Sequence, residues 1–307
     1  MEKPLENQLV HQSNLRELQS RGYQIINEIG NGTYSRVFKA EQIRAKSQKD
    51  CYKIESKEKE TDNFSLARFV AIKFINHKTA PDQFKIKFLP REIDVVRSIT
   101  HKNIVEAKEI LCSPDNATYI ITEYCPKGDL LNYICLRGAL PESQTRSYFQ
   151  NIISALEYLH GIDVVHRDIK CENLLVYNDA KSINHPTVLK LTDFGFSREI
   201  FDNQMSSTFC GSPAYVAPEI IKGKPYDPRI TDLWSCAVVL YIMSFSSMPF
   251  DDSNLTDLLL QQSGKLRRVG KVSDGLYEFL EELLKFEIKD RLTLKTLKSS
   301  DWYMAID

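Results

Sequence analysis

His166-Arg167-Asp168-Ile169-Lys170-Cys171-Glu172-Asn173 and, after a gap, Leu191-Thr192-Asp193-Phe194-Gly195 decide how this chain is read. Asp168, Asn173 and Asp193 supply three oxygen-bearing side chains within a short span. Three such groups meeting at one point are what Mg²⁺-assisted phosphoryl transfer requires, because hard cations take oxygen ligands. A buried Asp-Asn-Asp group with no cation to neutralise it would be costly, so the cluster favours a metal-assisted site over a structural one.

Working outward, further segments follow in a fixed order: Gly30-Asn31-Gly32-Thr33-Tyr34-Ser35-Arg36-Val37, Val70-Ala71-Ile72-Lys73, Glu92, Ala217-Pro218-Glu219, Asp232-Leu233-Trp234-Ser235 and Arg291. One short match is weak, but an ordered set of this size is not chance. The set resembles the eukaryotic protein kinases over residues 23–303. The resemblance implies an α+β, bilobal protein kinase fold, with a β-rich N-lobe carrying one main helix and a mostly α-helical C-lobe. It also implies transfer of the ATP γ-phosphate to Ser or Thr hydroxyls of protein substrates, since Lys170, two residues after Asp168, is characteristic of the serine/threonine kinases. Within the family the chain is most similar to the testis-specific serine kinases of the calmodulin-kinase-like group, on His166–Leu175, Lys190–Arg198 and Thr208–Ser212. Pro213 and Val216 depart from the small residues expected there.

The bulk numbers agree with a globular enzyme. The chain has 307 residues, 42% hydrophobic and 26% charged, enough for about two lobes. A net charge of -1 gives no strong pull toward nucleic acid or an anionic membrane. Seven cysteines, with no Cys-x-x-Cys, and a polar start at Met1–Gln8 read as reduced thiols in a cytoplasmic or nuclear protein. The longest strongly apolar stretch, Cys236–Met243, is too short to span a bilayer. The expected partners are protein substrates, an upstream activating kinase and regulatory proteins, with the isolated domain a monomer. No calmodulin-binding or autoinhibitory tail is expected, because the chain ends close to the end of the catalytic region.

Residues 1–22 read as a polar, flexible or peripheral lead-in, 23–124 as the N-lobe with a charged insert at 41–67, 125–303 as the C-lobe and 304–307 as the C-terminal end. Strands are expected at Tyr23–Ile29, Arg36–Ala40, Phe69–Ile75, Ile104–Leu111 and Tyr119–Tyr124, the last two joined by the turn formers Pro114-Asp115-Asn116. Apolar residues three or four apart predict helices at Phe88–Ile99, Tyr148–Leu159 and Leu276–Phe286, and Asp232–Phe245 is apolar nearly all round, as a buried helix would be. Short strands are expected at Leu174–Tyr177 and Val188–Leu191. A shorter insert falls at 178–187. Both inserts read as solvated loops, with docking as the rival reading.

The resemblance assigns roles residue by residue. Ile29, Gly30, Asn31 and Gly32 belong to a glycine turn that folds over phosphates, although the family's third glycine is Ser35 here and an ordinary hairpin has the same pattern. Lys73 reaches the α- and β-phosphates and is held by Glu92, against the plainer reading of a solvated lysine at a strand end. Val37, Ala71 and Leu175 sandwich adenine or simply pack a core, and the backbone of Glu123 and Cys125 hydrogen-bonds the base. Thr122 guards the pocket behind adenine, and its small size predicts sensitivity to inhibitors that project past it. Asp168 accepts or orients the substrate hydroxyl, Lys170 stabilises charge on the moving phosphoryl group, and Asn173 and Asp193 hold Mg²⁺.

Around this centre, Thr208 is the candidate activating phosphosite, with Arg167 and Arg198 as its bidentate partners. Ser212 contacts the catalytic Asp and Lys, and Asp129 and Glu172 either favour basic residues N-terminal to the target or are solvated surface acids. Asp232, Glu219, Arg291 and His166 are framework residues, with Asp232 bracing the catalytic loop and Glu219 paired to Arg291. A catalytically weak kinase-fold scaffold is the rival class, but it would lose Lys73, Asp168, Asn173 or Asp193, and all four are present.

Overall fold

Alternation of apolar and half-exposed residues makes Phe69–Asn76 the spine of an antiparallel sheet, because successive strand side chains point to opposite faces. The computed structural model describes residues 12–32, 34–43, 68–113, 117–178, 187–200, 205–206 and 211–306. They group into two units. The first takes the described residues up to Ile93 together with Glu106–Cys125, and the second takes Asp94–Val105 and the described residues from Pro126 onward.

In the first unit, β1 (Tyr23–Asn31), β2 (Ser35–Gln42), β3 (Phe69–Asn76), β4 (Ala107–Ser113) and β5 (Ala117–Glu123) form one sheet in the order β1-β2-β3-β5-β4. Phe38, Ala40, Val70, Ile72, Phe74, Tyr119 and Ile121 bury one face in a single cluster with Leu18 and Tyr23. Removing that apolar area from water is the main stabilising contribution here. The opposite face carries Val37, Ala71, Lys73 and Thr122, half-exposed and aligned by the register Val37↔Lys73 and Ala71↔Thr122.

The lead-in is not wholly irregular. Gln12–Ser20 is a helix, α1, whose Leu18 is buried against the sheet. The following Arg21 and Tyr23 both donate to Glu109, each at 3.0 Å, and fasten this end of the chain to β4. The helix expected from Phe88 also has more to it. A π-helical turn at Phe84–Phe88 runs directly into α2, Leu89–Ser98.

The second unit is mostly helical: α3 (Leu130–Arg137), α4 (Glu142–Gly161), α5 (Pro218–Ile221), α6 (Pro228–Phe245), α7 (Leu255–Ser263), α8 (Asp274–Leu283), α9 (Leu294–Leu297) and α10 (Asp301–Met304). α4 packs an inward stripe of Tyr148, Phe149, Ile152, Ile153, Leu156 and Leu159 against α6, which is buried nearly all round. α6 also packs on α8. Two short antiparallel pairs complete the unit: β6 (Val164–Val165) with β9 (Arg198–Glu199), and β7 (Leu174–Tyr177) with β8 (Val188–Leu191).

Ile104 is not part of β4, which begins at Ala107. Ile104 bridges to Leu191, Val105 N donates to Leu191 O at 2.9 Å, and Asn103 Nδ2 donates to Leu189 O at 3.0 Å. These bonds place Asp94–Val105 in the second unit. Thr208, the turn at 114–116 and most of the inserts at 41–67 and 178–187 lie outside the described residues. Among the described residues, no helix is long and apolar enough to cross a membrane.

Candidate functional site

Asp232 sets the geometry of the second unit's polar centre. Its position in α6 leaves it 1% exposed, and its carboxylate accepts from His166 N at 3.0 Å, Arg167 N at 2.7 Å and His160 Nε2 at 3.0 Å. Two consecutive backbone amides converge on one carboxylate because Arg167 has a positive φ of 69°, a conformation that persists only where its surroundings hold it. His166 is locked as well. Its Nε2 faces the carbonyl of Thr192 at 3.1 Å and must donate, which leaves Nδ1 to accept from Asp168 N at 3.3 Å. An imidazole with both nitrogens engaged by the backbone is framework, as expected.

Asp168 is thereby presented on a rigid loop and is 6% exposed. Its Oδ2 lies 2.9 Å from Lys170 Nζ and accepts from Asn173 Nδ2 at 3.1 Å, and its Oδ1 accepts from Ser212 Oγ at 3.2 Å. Lys170 Nζ also donates to Ser212 Oγ at 3.0 Å. Asp168, Lys170, Asn173 and Ser212 form one closed hydrogen-bonded group that includes a cation and a carboxylate. Such a group can orient a hydroxyl, receive its proton and stabilise developing negative charge. Cys171, inside the same loop, takes no part, because burial pushes its thiol up to about 12 and keeps it protonated.

The β7–β8 hairpin brings the candidate cation ligands together. Leu174 pairs with Leu191, so Asn173 and Thr192 adjoin at one end of the hairpin, where Thr192 N donates to Asn173 O at 2.9 Å. Asp193 follows directly, exposed and at a positive φ of 64° that Asp tolerates better than most residues. Asn173 spends its Nδ2 on Asp168, which leaves its carbonyl oxygen as the atom a hard cation would take. No group of three or more His, Cys, Asp or Glu is preassembled for a metal among the described residues. One carboxylate and one amide oxygen are hard donors that fit a cation such as Mg²⁺, which takes few protein ligands and completes its shell with water and phosphate oxygens.

In the first unit, Lys73 Nζ meets Glu92 Oε1 at 2.6 Å, joining β3 to α2. Glu92 is 3% exposed, and its Oε2 is buried with no partner among the described residues. Gly30 pairs with Val37 across the β1–β2 turn, and Ile29 falls at a bulge that leaves it 44% exposed. Gly32 N donates to Ser35 O at 2.8 Å, and a Cβ at Gly32 would stand 2.9 Å from Ser35 Oγ, so the serine in the third glycine position closes against the second glycine. Asn31 ends β1 and is exposed. Val37, Ala71 and Thr122 share the half-exposed face of the sheet with Lys73. Glu123 closes β5, where its backbone N donates to Glu106 O at 3.0 Å, and Cys125 is buried. Leu175 sits half-buried in β7, bridged to Asp129.

The peripheral residues separate into types. Arg167 has Nε and Nη2 buried without a partner among the described residues, and Arg198 lies in β9 opposite Val165. Asp129 caps α3 by accepting from Asn132 N and Nδ2 at 2.8 and 2.7 Å. Glu172 is exposed and accepts from Tyr215 OH at 3.3 Å. Arg291 makes a bidentate pair with Glu219, 2.8 Å on each arm, both residues buried. Two contributors carry no motif in the sequence: His160 on Asp232, and Gln262, whose Nε2 donates to Val216 O at 2.9 Å.

The family model described as "Protein kinase domain" matches residues 63–303. The chain is 38% identical over 299 residues to testis-specific serine/threonine-protein kinase 1 of Mus musculus, covering 93% of this chain and 73% of the relative. It is 40% identical over 247 residues to testis-specific serine/threonine-protein kinase 3 of Homo sapiens, covering 80% of this chain and 81% of the relative.

Proposed function

Because this chain belongs to the protein kinase family and is a serine/threonine kinase close to the testis-specific ones, we propose that Asp168, Lys170, Asn173, Asp193 and Lys73 are the residues through which it phosphorylates protein substrates. A protein kinase uses ATP and a divalent cation, and in this reading the cation is Mg²⁺, held by Asn173 and Asp193. When bound, Mg²⁺ neutralises charge on the triphosphate. Asp168 orients the substrate hydroxyl and receives its proton at a carboxylate oxygen. Lys170, already 2.9 Å from that carboxylate, holds positive charge beside the phosphoryl acceptor. Lys73, fixed by Glu92, serves the α- and β-phosphates, and Val37, Ala71 and Leu175, with the backbone of Glu123 and Cys125, serve adenine.

The observation that carries the reading is the closed Asp168–Lys170–Asn173–Ser212 group built on Asp232. A peptide-array phosphorylation assay tests it. Wild type should label Ser and Thr peptides in the presence of Mg²⁺, and Asp168→Asn should lose at least about a hundredfold in rate, the range expected for a positioned base. Undiminished labelling by Asp168→Asn would remove Asp168 from the centre of the reaction.

Activation by phosphate at Thr208 belongs to the same proposal. Two buried guanidinium nitrogens on Arg167 without a partner among the described residues are an expensive arrangement that an incoming phosphate would complete, with Arg198 as second donor. Thr208→Ala should lower activity after treatment with an activating kinase, and equal activity of the two proteins would dispose of it. A preference for Arg or Lys N-terminal to the target rests on Glu172 more than on Asp129, whose carboxylate is committed to capping α3. The same peptide array reads this preference directly. A cytoplasmic setting rests on the free thiols of Cys112, Cys125, Cys135, Cys171 and Cys236, and cell fractionation tests it.

A further inference from the structure

Ser212 stands against Asp168, so the residues that follow it, up to Ala217-Pro218-Glu219, border the place where a substrate hydroxyl is presented. Pro213–Tyr215 is a single 3-10 turn, in which Tyr215 N and Val216 N donate back to Ser212 O and Pro213 O at 2.9 and 3.1 Å. These two N–H groups are thus satisfied locally. The carbonyls of Tyr215 and Val216 are instead held by side chains from two helices beneath: Ser235 Oγ of α6 donates to Tyr215 O at 3.0 Å, and Gln262 Nε2 of α7 donates to Val216 O at 2.9 Å.

The second tether is the unusual one. Gln262 is 3% exposed, and its Oε1 is buried with no partner among the described residues. A buried amide whose oxygen goes unmet is a poor stabiliser, because the unmet acceptor keeps its desolvation cost. Gln262 and the fully buried Leu258, one turn away, are the two buried residues of α7, so this amide ties the buried side of the helix to the Val216 carbonyl.

We propose that Gln262 is a positioning residue for the protein substrate, fixing the Val216 carbonyl and with it the backbone turn that receives the chain beside the phosphorylated Ser or Thr. This rests on the reading of Asp168 as the residue that meets the acceptor hydroxyl. Gln262 holds a backbone carbonyl of the turn that follows Ser212, so its loss changes the handling of peptide and not of nucleotide.

Steady-state kinetics with a peptide from the array, varied against fixed ATP and then ATP against fixed peptide, test the proposal. Gln262→Met fills the same space without a donor. Gln262→Leu also removes the donor, with an apolar side chain of similar bulk. In either variant the peptide KM should rise about tenfold, the effect of one lost hydrogen bond, with ATP KM and kcat near wild type. Nucleotide-dependent melting confirms that the variant is folded. A peptide KM unchanged in the folded variants overturns the proposal. So does a parallel rise in both KM values, or a failure of both variants to fold, since each marks Gln262 as packing alone. A wild-type protein inert toward every peptide would instead defeat the underlying reading of Asp168.

Discussion

At the scale of single residues, the grouping of Asp168, Lys170 and Asn173 was legible because it depends on order along the chain. Asp168, Lys170 and Asn173 lie within six consecutive positions, so the loop that holds one holds all three, and the structure shows them hydrogen-bonded together. Gln262 and His160 were not legible, because their partners, Val216 and Asp232, are far away in sequence and only the fold brings them close. Glu92 offers a prediction that separates function from stability. Its Oε1 pairs with Lys73 while its Oε2 is buried with no partner among the described residues, so the carboxylate carries a desolvation cost that one ion pair only partly offsets. Glu92→Gln keeps the shape and removes the buried charge. The melting temperature should fall, because the Lys73 ammonium loses its counter-charge, and the ATP KM should increase about tenfold, because the neutral amide holds the ammonium less firmly than a charge-assisted bond. A fall in melting temperature together with an unchanged KM would show that the pair is there for stability.

Among elements, periodicity decided what could be read. Strands β3, β7 and β8 show alternation or compact apolar runs and appear where the sequence places them, whereas α4, expected over Tyr148–Leu159 from its three-to-four spacing, begins at Glu142, because its first turns carry polar residues outside that stripe. α1 escaped because a polar nine-residue segment anchored by Leu18 has too little apolar pattern to register a period. The start of β4 was misread for a different reason, since Ile104 is apolar but spends its contacts on Leu191. Helix docking at the far end of the second unit rests on Glu142, in the first turn of α4. Its carboxylate accepts from Ser273 Oγ at 2.7 Å, at the N-terminus of α8, and from Trp302 Nε1 at 2.8 Å in α10. Burial pushes this carboxyl up, but the bonds from Ser273 and Trp302 and the charge of Arg146 outweigh it and hold the group below the usual value of 4.5. A carboxylate with a depressed folded-state pKa stabilises the fold above its unfolded value, and that contribution is lost as pH falls through the folded one. Thermal melts followed into acid should therefore show wild type losing stability below about pH 4.5, while Glu142→Gln starts lower at neutral pH and declines less steeply. Parallel acid profiles for the two proteins would mean that the three helices are docked by packing alone.

For the whole molecule, each unit carries part of the proposed nucleotide chemistry, Lys73 in the first and Asn173 with Asp193 in the second. Composition and length pointed to two lobes, but not to the transfer of Asp94–Val105 into the helical unit, which depends on the backbone bonds between Val105, Asn103 and Leu191. A ligand that binds only the folded state raises stability by about 2.7 kcal/mol at a hundred times its dissociation constant, which for a chain of this size moves the melting temperature by several degrees. ATP should therefore stabilise the protein, and adding Mg²⁺ should enlarge the shift, because Asn173 and Asp193 offer oxygen ligands that are useful only with the cation present. Asp193→Ala should keep the ATP-only shift and lose the Mg²⁺ increment, whereas Lys73→Ala should diminish the ATP-only shift itself. Measured by differential scanning fluorimetry, this pattern assigns the metal to Asp193 and the phosphates to Lys73. A protein whose melting ignores ATP and Mg²⁺ alike would have the kinase architecture without its chemistry, and the scaffold reading would replace the enzymatic one.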